Sequence, residues 1–392
     1  MFAERTNWDL TPNLLAQQKE ALRSKGAEVL DLTESNPTKV GIRYPEDLLR
    51  PLTDPGCLIY DPHPKGILSA RQTVSAIFSA KGIPLDPDKI LLTASTSEAY
   101  GFLFRLLANP GDQLLIPRPS YPLFSYLADL HDLGVVSYPL RLGQDGLWRI
   151  DLDALGASIT KQTKAIVVVH PNNPTGSCVT AEEQVRLLHL CRQNDLALIS
   201  DEVFAEYRSP SGRKVPATLL GKGEALTFSL GGLSKFLGLP QMKLAWIACS
   251  GPPEQLDRAL ERLELIADTS LSVNTPAQQA FPHWLKKAPA VQGQIRQRIE
   301  ENRRLLQTHL NQGLGRLLPS EGGWSAILQF PSLQDSERWA LTLLKEEKVF
   351  VHPGYFFDFE EEGLSIISLL TPPDSLQEGI RRILSRFHLY KG

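Results

Sequence analysis

The chain has 392 residues, of which 42% are hydrophobic and 22% are charged, and its formal net charge is −3. This composition is typical of a globular protein that is large enough to form more than one lobe. A charge close to zero, without a basic run, excludes an electrostatic preference for nucleic acid or for anionic membranes. We therefore expect neither as a partner.

The four cysteines, at positions 57, 178, 191 and 249, have no metal-ligand spacing, so we expect no metal site. Isolated thiols in a chain of this length indicate a reducing, cytoplasmic environment. The N-terminal sequence lacks the basic and apolar regions of a signal peptide, and no run approaches the ~18 apolar residues of a transmembrane helix.

Residues 1–50 are rich in Pro and Thr, and we expect them to form an N-terminal arm and part of a small domain. Residues 51–285 alternate short apolar runs with helical patterns such as Glu98–Ala108 and Ala181–Gln193. This alternation predicts an α/β fold, whose large domain has a mostly parallel sheet flanked by helices. The runs predicted to be buried strands are Ile90–Thr93, Gln113–Pro117, Ala165–His170, Leu196–Ser200, Leu226–Leu230 and Leu244–Cys249.

Residues 286–392 have a different pattern, which predicts a small α+β domain completed by the N-terminal segment. Helical patterns cover Pro289–Gly313, Asp335–Glu347 and Gln377–Leu389. Between them lie the apolar stretches Gly323–Phe330, Val349–His352 and Leu364–Leu370.

Polar residues follow the first predicted strand, where Ser95, Thr96 and Ser97 open a helix. Free N–H groups at a helix N-terminus, together with hydroxyls, bind anions. A simple N-cap explains this segment equally well. The run His170–Gly176 follows another strand, and the amide of Asn173 could donate to a phenolate oxygen of a ligand at the sheet edge. A turn made of Pro, Asn and Gly is the alternative.

Two charged residues also follow predicted strands. Asp201 directly follows the run Leu196–Ser200. A carboxylate at the end of a buried strand needs a partner, such as a protonated pyridine nitrogen. A helix N-cap is the alternative role for Asp201. Lys235 lies in the Gly/Ser loop after Leu226–Leu230. A desolvated lysine there could act as a nucleophile, and an exposed loop lysine is the alternative.

The order and spacing of these segments are more specific than any one segment. Asn173 precedes Asp201 by 28 residues, and Asp201 precedes Lys235 by 34. The chain also contains TESNPT at 33–38, YDPHPKGILSAR at 60–71, ANPGDQLLIPRPSYP at 108–122 and TPPDSLQEGIRRIL at 371–384. In these features the chain resembles the fold type I enzymes that use pyridoxal 5'-phosphate (PLP). Within that group it is most similar to the class I and II aminotransferases, and the resemblance covers nearly the whole chain.

The resemblance implies a seven-stranded sheet, PLP as the cofactor and a role for each matching residue. Lys235 resembles the lysine that forms a Schiff base with PLP, and Asp201 the aspartate that pairs with the pyridinium nitrogen. Asn173 matches the donor to the phenolate oxygen, and Tyr121 the aromatic residue stacked on the ring. The predicted phosphate ligands are Ser95, Thr96, Ser97, Ser234 and Lys243. Tyr60 resembles a tyrosine that reaches the phosphate of the neighbouring subunit, which implies a homodimer.

The sequence departs from the family pattern at four positions. Phe204 replaces a tyrosine that shares the phenolate oxygen, and Gly232 replaces a frequent phosphate-binding serine. Lys243 replaces an arginine at the phosphate, and therefore keeps the charge but loses the bidentate fork. Ile366 stands where an arginine usually binds the substrate α-carboxylate, and an isoleucine cannot do so. We place Ser35, Asn36, Ile366 and Tyr355 in the substrate pocket.

The resemblance implies an aminotransferase that moves an amino group from a small-molecule donor to an oxo acceptor through pyridoxamine phosphate. Because Ile366 changes substrate recognition, a PLP-dependent lyase, decarboxylase or oxidase on the same scaffold stays open. A PLP-binding protein without catalysis is the third reading, and the intact pair of Asp201 and Lys235 speaks against it.

Overall fold

The computed structural model describes residues 1–209, 213–221, 223–310, 315–330, 333 and 335–391. The strands in these ranges are β1 (Leu30–Asp31), β2 (Ile90–Thr93), β3 (Gln113–Arg118), β4 (Gly134–Leu142), β5 (Trp148–Ile150), β6 (Thr163–Val169), β7 (Ala197–Asp201), β8 (Thr227–Gly232), β9 (Ala245–Ser250), β10 (Arg316–Leu317), β11 (Ser325–Gln329), β12 (Val349–Phe350), β13 (His352–Pro353) and β14 (Leu364–Ser368). The α-helices are α1 (Leu14–Ser24), α2 (Leu68–Ala80), α3 (Thr96–Leu107), α4 (Leu123–Asp129), α5 (Leu152–Ala157), α6 (Ala181–Asn194), α7 (Leu233–Phe236), α8 (Pro253–Asp268), α9 (Thr275–Leu310), α10 (Ser336–Thr342) and α11 (Pro373–Lys391).

The large sheet has the strand order β2-β9-β8-β7-β6-β3-β4-β5. Its centre, from β8 to β4, is parallel, whereas β2, β9 and β5 pair antiparallel at the two sides. The prediction of seven strands was wrong in number, because the described residues form eight. The additional edge strand β5 has three residues, which is too short for a period-2 pattern to identify it.

The central strands are buried on both faces, which is why they appear in the sequence as continuous apolar runs. In β6, Ala165 and Val167 pack into the apolar cluster on one face, while Ile166 and Val168 pack into the cluster on the other. Helices α3 and α8 cover the first face, and α6 covers the second. The sheet is therefore the rigid core on which the strand ends are held.

The second unit joins both ends of the chain. An antiparallel sheet with the order β10-β11-β14-β13 lies beside the pair β1-β12, in which Leu30 pairs with Val349. The N-terminal segment is thus paired with C-terminal residues, as the fold prediction required. The boundary predicted at 285/286 falls inside the 36-residue helix α9. The domain limits 1–50, 51–285 and 286–392 stay a prediction, and the predicted helix end Gly313 lies outside the described residues.

The carboxyl ends of the neighbouring parallel strands β6, β7 and β8 meet at one edge of the sheet. Asn173 follows the first, Asp201 is the last residue of the second, and Lys235 follows the third. Within the described ranges, no helix has the length and apolar character needed to cross a membrane.

Candidate active site

A cavity of about 520 Å³ opens at this edge, between the large sheet and the small antiparallel sheet. That volume is within the ordinary range of small-molecule sites, roughly 300–1,000 Å³. Eleven of the predicted site residues contribute to its wall: Ser35, Ser95, Thr96, Ser97, Tyr121, Asn173, Asp201, Ser234, Lys235, Lys243 and Ile366.

Three predicted site residues lie elsewhere. The side chain of Asn36 accepts hydrogen bonds from the backbone and hydroxyl of Thr38, so it closes a local turn instead of facing the cavity. Tyr355 is 42% exposed, and its hydroxyl donates to Glu337. Tyr60 is 75% exposed and lies outside the cavity of its own chain.

Lys235 is held in the one-turn helix α7, directly after the central strand β8. Its Nζ lies 4.8 Å from the ring centroid of Trp324 and 5.6 Å from that of Phe204. Desolvation by these surroundings lowers the pKa of Lys235 to about 8, although the charge of Asp201 opposes this shift. The amine is therefore uncharged, and able to act as a nucleophile, at a much lower pH than an ordinary lysine.

Asp201 presents its carboxylate to the same cavity. Its Oδ2 accepts a hydrogen bond of 3.0 Å from the hydroxyl of Tyr100, and its Oδ1 accepts one of 3.1 Å from the backbone N–H of Val203. Burial raises the pKa of Asp201 to about 6, and the two hydrogen bonds act in the opposite direction. A cationic group placed against this carboxylate would stabilise its charged form.

Tyr100 is a cavity residue that the sequence analysis missed. It lies in α3 within the buried run Ala99–Phe104 and is only 3% exposed. A lone hydroxyl on the buried face of a helix needs a hydrogen-bond partner. This requirement is the one feature of the sequence that could have identified Tyr100 as a site residue. The partner itself comes from β7, so only the tertiary structure identifies it.

The turn after β6 separates the roles of two adjacent asparagines. Asn172 is buried and holds the turn, because its Nδ2 donates to the carbonyl of Pro119 and its Oδ1 accepts from Ser120. Asn173 lines the cavity, and its Oδ1 accepts a hydrogen bond of 3.1 Å from Ser325. Its Nδ2 has no partner among the described residues and could donate to a ligand.

Hydroxyls and a lysine meet at another part of the wall. Thr93 of β2 pairs with Ala245 of β9, so the start of α3 lies close to Lys243, which precedes β9. The hydroxyl of Ser95 caps α3 by accepting from the N–H of Glu98. Thr96 and Ser97 add two further hydroxyls to the wall, and this combination of donors and positive charge suits a phosphate.

The structure shows the surroundings of two departures from the family pattern, Gly232 and Phe204. A Cβ atom on Gly232 would lie 2.9 Å from the Cβ of Ala245, so a serine does not fit there without a backbone shift. Phe204 packs edge-on against Trp324 with ring centroids 5.5 Å apart, and it offers no hydroxyl to a ligand.

These groups fit PLP. The cavity combines a desolvated lysine amine, a buried carboxylate, an amide donor without a protein partner, and a cluster of hydroxyls with a lysine. They correspond in kind to the aldehyde, the pyridine nitrogen, the phenolate oxygen and the phosphate of the cofactor.

Comparisons with known proteins agree with this geometry. The family described as Aminotransferase class I and II matches residues 51–383. The chain is 30% identical over 356 residues to an alanine aminotransferase of Mycobacterium tuberculosis, covering 88% of this chain and 82% of the relative. It is 27% identical over 404 residues to the glutamate-pyruvate aminotransferase AlaA of Escherichia coli, covering 98% and 97% of the two chains.

Solved structures show the same fold. An alanine aminotransferase from Pyrococcus furiosus superimposes with a TM-score of 0.89 at 23% identity, covering 99% of this chain and all of that one (100%). A tyrosine aminotransferase from Leishmania infantum has a TM-score of 0.83 at 22% identity, with 98% and 99% covered. The chain belongs to the class I and II aminotransferase family and is a PLP-dependent aminotransferase.

Proposed function

We propose that this chain transfers an amino group from a small-molecule amino donor to an oxo acceptor in the cavity that contains Lys235 and Asp201. The assignment of Lys235 and Asp201 as the reacting residues rests on one observation. A desolvated lysine and a buried carboxylate face the same cavity from the ends of two adjacent strands. When bound, PLP would supply a carbonyl group that takes up the amino group and a ring that withdraws electrons from the reacting carbon.

The roles of the side chains follow from their surroundings. Lys235 holds the cofactor covalently between turnovers, and its Nζ takes up and returns the proton that moves during transfer, because its lowered pKa allows both states near neutral pH. Asp201 holds a proton on the cofactor ring through its carboxylate. Tyr121 would cover one face of the ring, and Asn173 would donate to the ring oxygen. The residues that would bind the phosphate all line the cavity: Ser95, Thr96, Ser97, Ser234 and Lys243.

We also propose a homodimer in the cytoplasm. The run Leu58–Tyr60 is apolar yet exposed, at 90%, 66% and 75% for its three residues. A second copy of the chain that covered this run would bring Tyr60 to the neighbouring cavity. The reducing compartment is supported by the four cysteines, all of which are free thiols.

The test is a half-reaction with the PLP-loaded protein. A panel of amino donors, starting with the alanine and glutamate named for the relatives and including simple amines, is added without an acceptor. We expect bound PLP to become pyridoxamine phosphate, measured by chromatography, and an oxo acid such as pyruvate to restore PLP. Release of ammonia, carbon dioxide or hydrogen peroxide while PLP persists would instead support a lyase, a decarboxylase or an oxidase.

A further inference from the structure

The charges that line the cavity are few. Within the described ranges, its wall contains one carboxylate, Asp201, and two cations, Lys235 and Lys243, and it contains no arginine. If Lys235 binds the cofactor and Lys243 its phosphate, no cation of this chain is left for a substrate. The part of the wall that the small sheet contributes is therefore electrically neutral.

Ile366 is the centre of this neutral wall. In the small sheet it pairs with Ile327 on one side and with His352 on the other. It is 2% exposed and packs in the same apolar cluster as Phe357, another wall residue. Trp324, beside Lys235, extends the apolar surface toward the nucleophile.

Two arginines near this sheet are directed elsewhere. Arg298 donates to the backbone carbonyls of Val40 and Leu370, and Arg303 donates to the carbonyl of Ser320. Neither belongs to the wall of the cavity. Among the described residues, therefore, no arginine lines the cavity beside Ile366 where it could bind a carboxylate.

His352 does not supply the missing charge either. Its ring is surrounded by the rings of Phe350, Phe356 and Phe357, with centroids 5.4–6.0 Å away. The other charged groups near it are Asp31, which raises its pKa, and Lys19, which lowers it. Desolvation is the largest effect and lowers the pKa of His352 to about 4, so the imidazole is neutral at pH 7. In the part of the chain that the structure describes, its nitrogens have no hydrogen-bond partner.

We infer that the neutral wall formed by Trp324, His352, Phe357 and Ile366 selects amino donors without a carboxylate, namely primary amines with an apolar body. A carboxylate placed against this wall would lose its water without gaining a counter-charge, which is strongly unfavourable. An apolar amine would bury its body against the rings and aliphatic side chains. A neutral polar atom on the donor could still pair with the imidazole of His352. This inference rests on the proposed amino transfer and specifies its donor.

The experiment compares donors that differ only in the carboxylate. The PLP-loaded protein is given 2-phenylethylamine or L-phenylalanine, and formation of pyridoxamine phosphate is followed at several concentrations. We expect kcat/KM for the amine to be at least tenfold higher. Equal values, or faster reaction of the amino acid, would overturn the inference, because a cation outside this wall would then bind the carboxylate.

A pair of variants locates the selection. Ile366→Arg should reverse the preference, by raising kcat/KM for L-phenylalanine and lowering that for 2-phenylethylamine. Ile366→Leu, which conserves volume and charge, should keep the preference for the amine. If both variants show the same ratio as the unmodified protein, position 366 does not determine specificity and the wall is assigned incorrectly.

Binding without turnover separates the two proposals. Calorimetry with the PLP-loaded protein compares 3-phenylpropionate with 3-phenylpropanamide, which share a body and differ in charge. We expect the amide to bind at least tenfold more tightly, and tighter binding of the acid would refute the neutral-wall inference. If this result holds but no donor yields pyridoxamine phosphate, the proposed amino transfer fails while the selection against carboxylates stands.

Discussion

The hydroxyl of Tyr100 donates a hydrogen bond of 3.0 Å to Oδ2 of Asp201, the last residue of β7. Helix α3, which contains Tyr100, and β7 contribute to the same apolar cluster. Because burial raises the pKa of Asp201 to about 6, this bond and that from Val203 favour the ionised carboxylate in surroundings that disfavour it. Tyr100 is thus a positioning residue, which acts on the cofactor through Asp201.

Replacing Tyr100 with Phe should weaken PLP binding by about tenfold and reduce kcat more than it changes KM. The substitution removes one donor to a buried carboxylate, which is worth about 1–3 kcal/mol, and it raises the pKa of Asp201 further. The measurements are a PLP titration of the apoenzyme and the absorbance of the bound cofactor from pH 5 to 9. We expect the pH profile of the absorbance to shift to higher pH.

Tyr138→Phe is the matched control. Tyr138 is also fully buried and its hydroxyl donates to a backbone carbonyl, that of Val167, at 2.7 Å, but it does not touch Asp201. This variant should lose stability without a change in the cofactor spectrum. If both variants leave the spectrum unchanged, Tyr100 has only a structural role.

The rate at which apoenzyme forms its covalent bond with PLP should rise with pH, with a midpoint near pH 8 and a plateau at higher pH. The reason is that desolvation lowers the pKa of Lys235 to about 8, and only the uncharged amine attacks. Asp201→Asn should move the midpoint to lower pH, since the charge of Asp201 raises the pKa of Lys235. Stopped-flow absorbance measures the rate, and a midpoint near 10, the ordinary lysine value, would contradict the assignment.

Lys235→Ala should bind PLP without a covalent bond, and borohydride reduction followed by mass spectrometry should find no modified peptide. Lys243→Ala is the comparison, because it removes a cation from the cavity wall and leaves the nucleophile. It should bind PLP more weakly but still yield PLP attached to Lys235. Attachment of PLP to another lysine in both variants would show that Lys235 is not the nucleophile.

The centre of the site could be predicted from the sequence because neighbouring parallel strands place their carboxyl ends at one edge. Asn173 and Lys235 follow such strands and Asp201 ends one, so their positions in the chain already indicate that they lie near one another. Tyr100 and His352 could not be identified in this way. They reach the cavity from a helix and from the small sheet, and their approach depends on packing between distant segments.

Local chemistry explains why Asn36 lies outside the cavity wall and why the strand β5 was missed. Asn36 turns toward the backbone of Thr38 because a short amide side chain readily closes a turn, which competes with a role at a ligand. The edge strand β5 pairs through three residues only, and its Trp148 is buried by tertiary contacts that the local sequence pattern does not contain.

Folding stability should decrease as pH falls from 6.5 to 4, in part because of His170. This ring is fully buried and accepts the N–H of Val179, and burial lowers its pKa to about 4. Below pH 6.5 the unfolded chain takes up a proton that the folded chain does not, so the free energy of unfolding falls by up to about 3 kcal/mol. His170→Gln should reduce the drop in thermal midpoint between pH 7 and pH 5, whereas His189→Gln, at an exposed position of α6, should not.

Hybrid dimers test the position of Tyr60, which is 75% exposed and lies outside the cavity of its own chain. We expect Tyr60→Phe alone to weaken PLP binding, because the partner's phosphate would lose a donor. A hybrid of one Lys235→Ala chain and one Tyr60→Phe chain should then contain one intact cavity, with Lys235 from one subunit and Tyr60 from the other. Co-expression with two affinity tags isolates this hybrid, and its PLP affinity at the single reactive lysine should equal that of the unmodified protein. If Tyr60 instead acts within its own chain, the hybrid has no intact cavity and binds PLP as weakly as Tyr60→Phe.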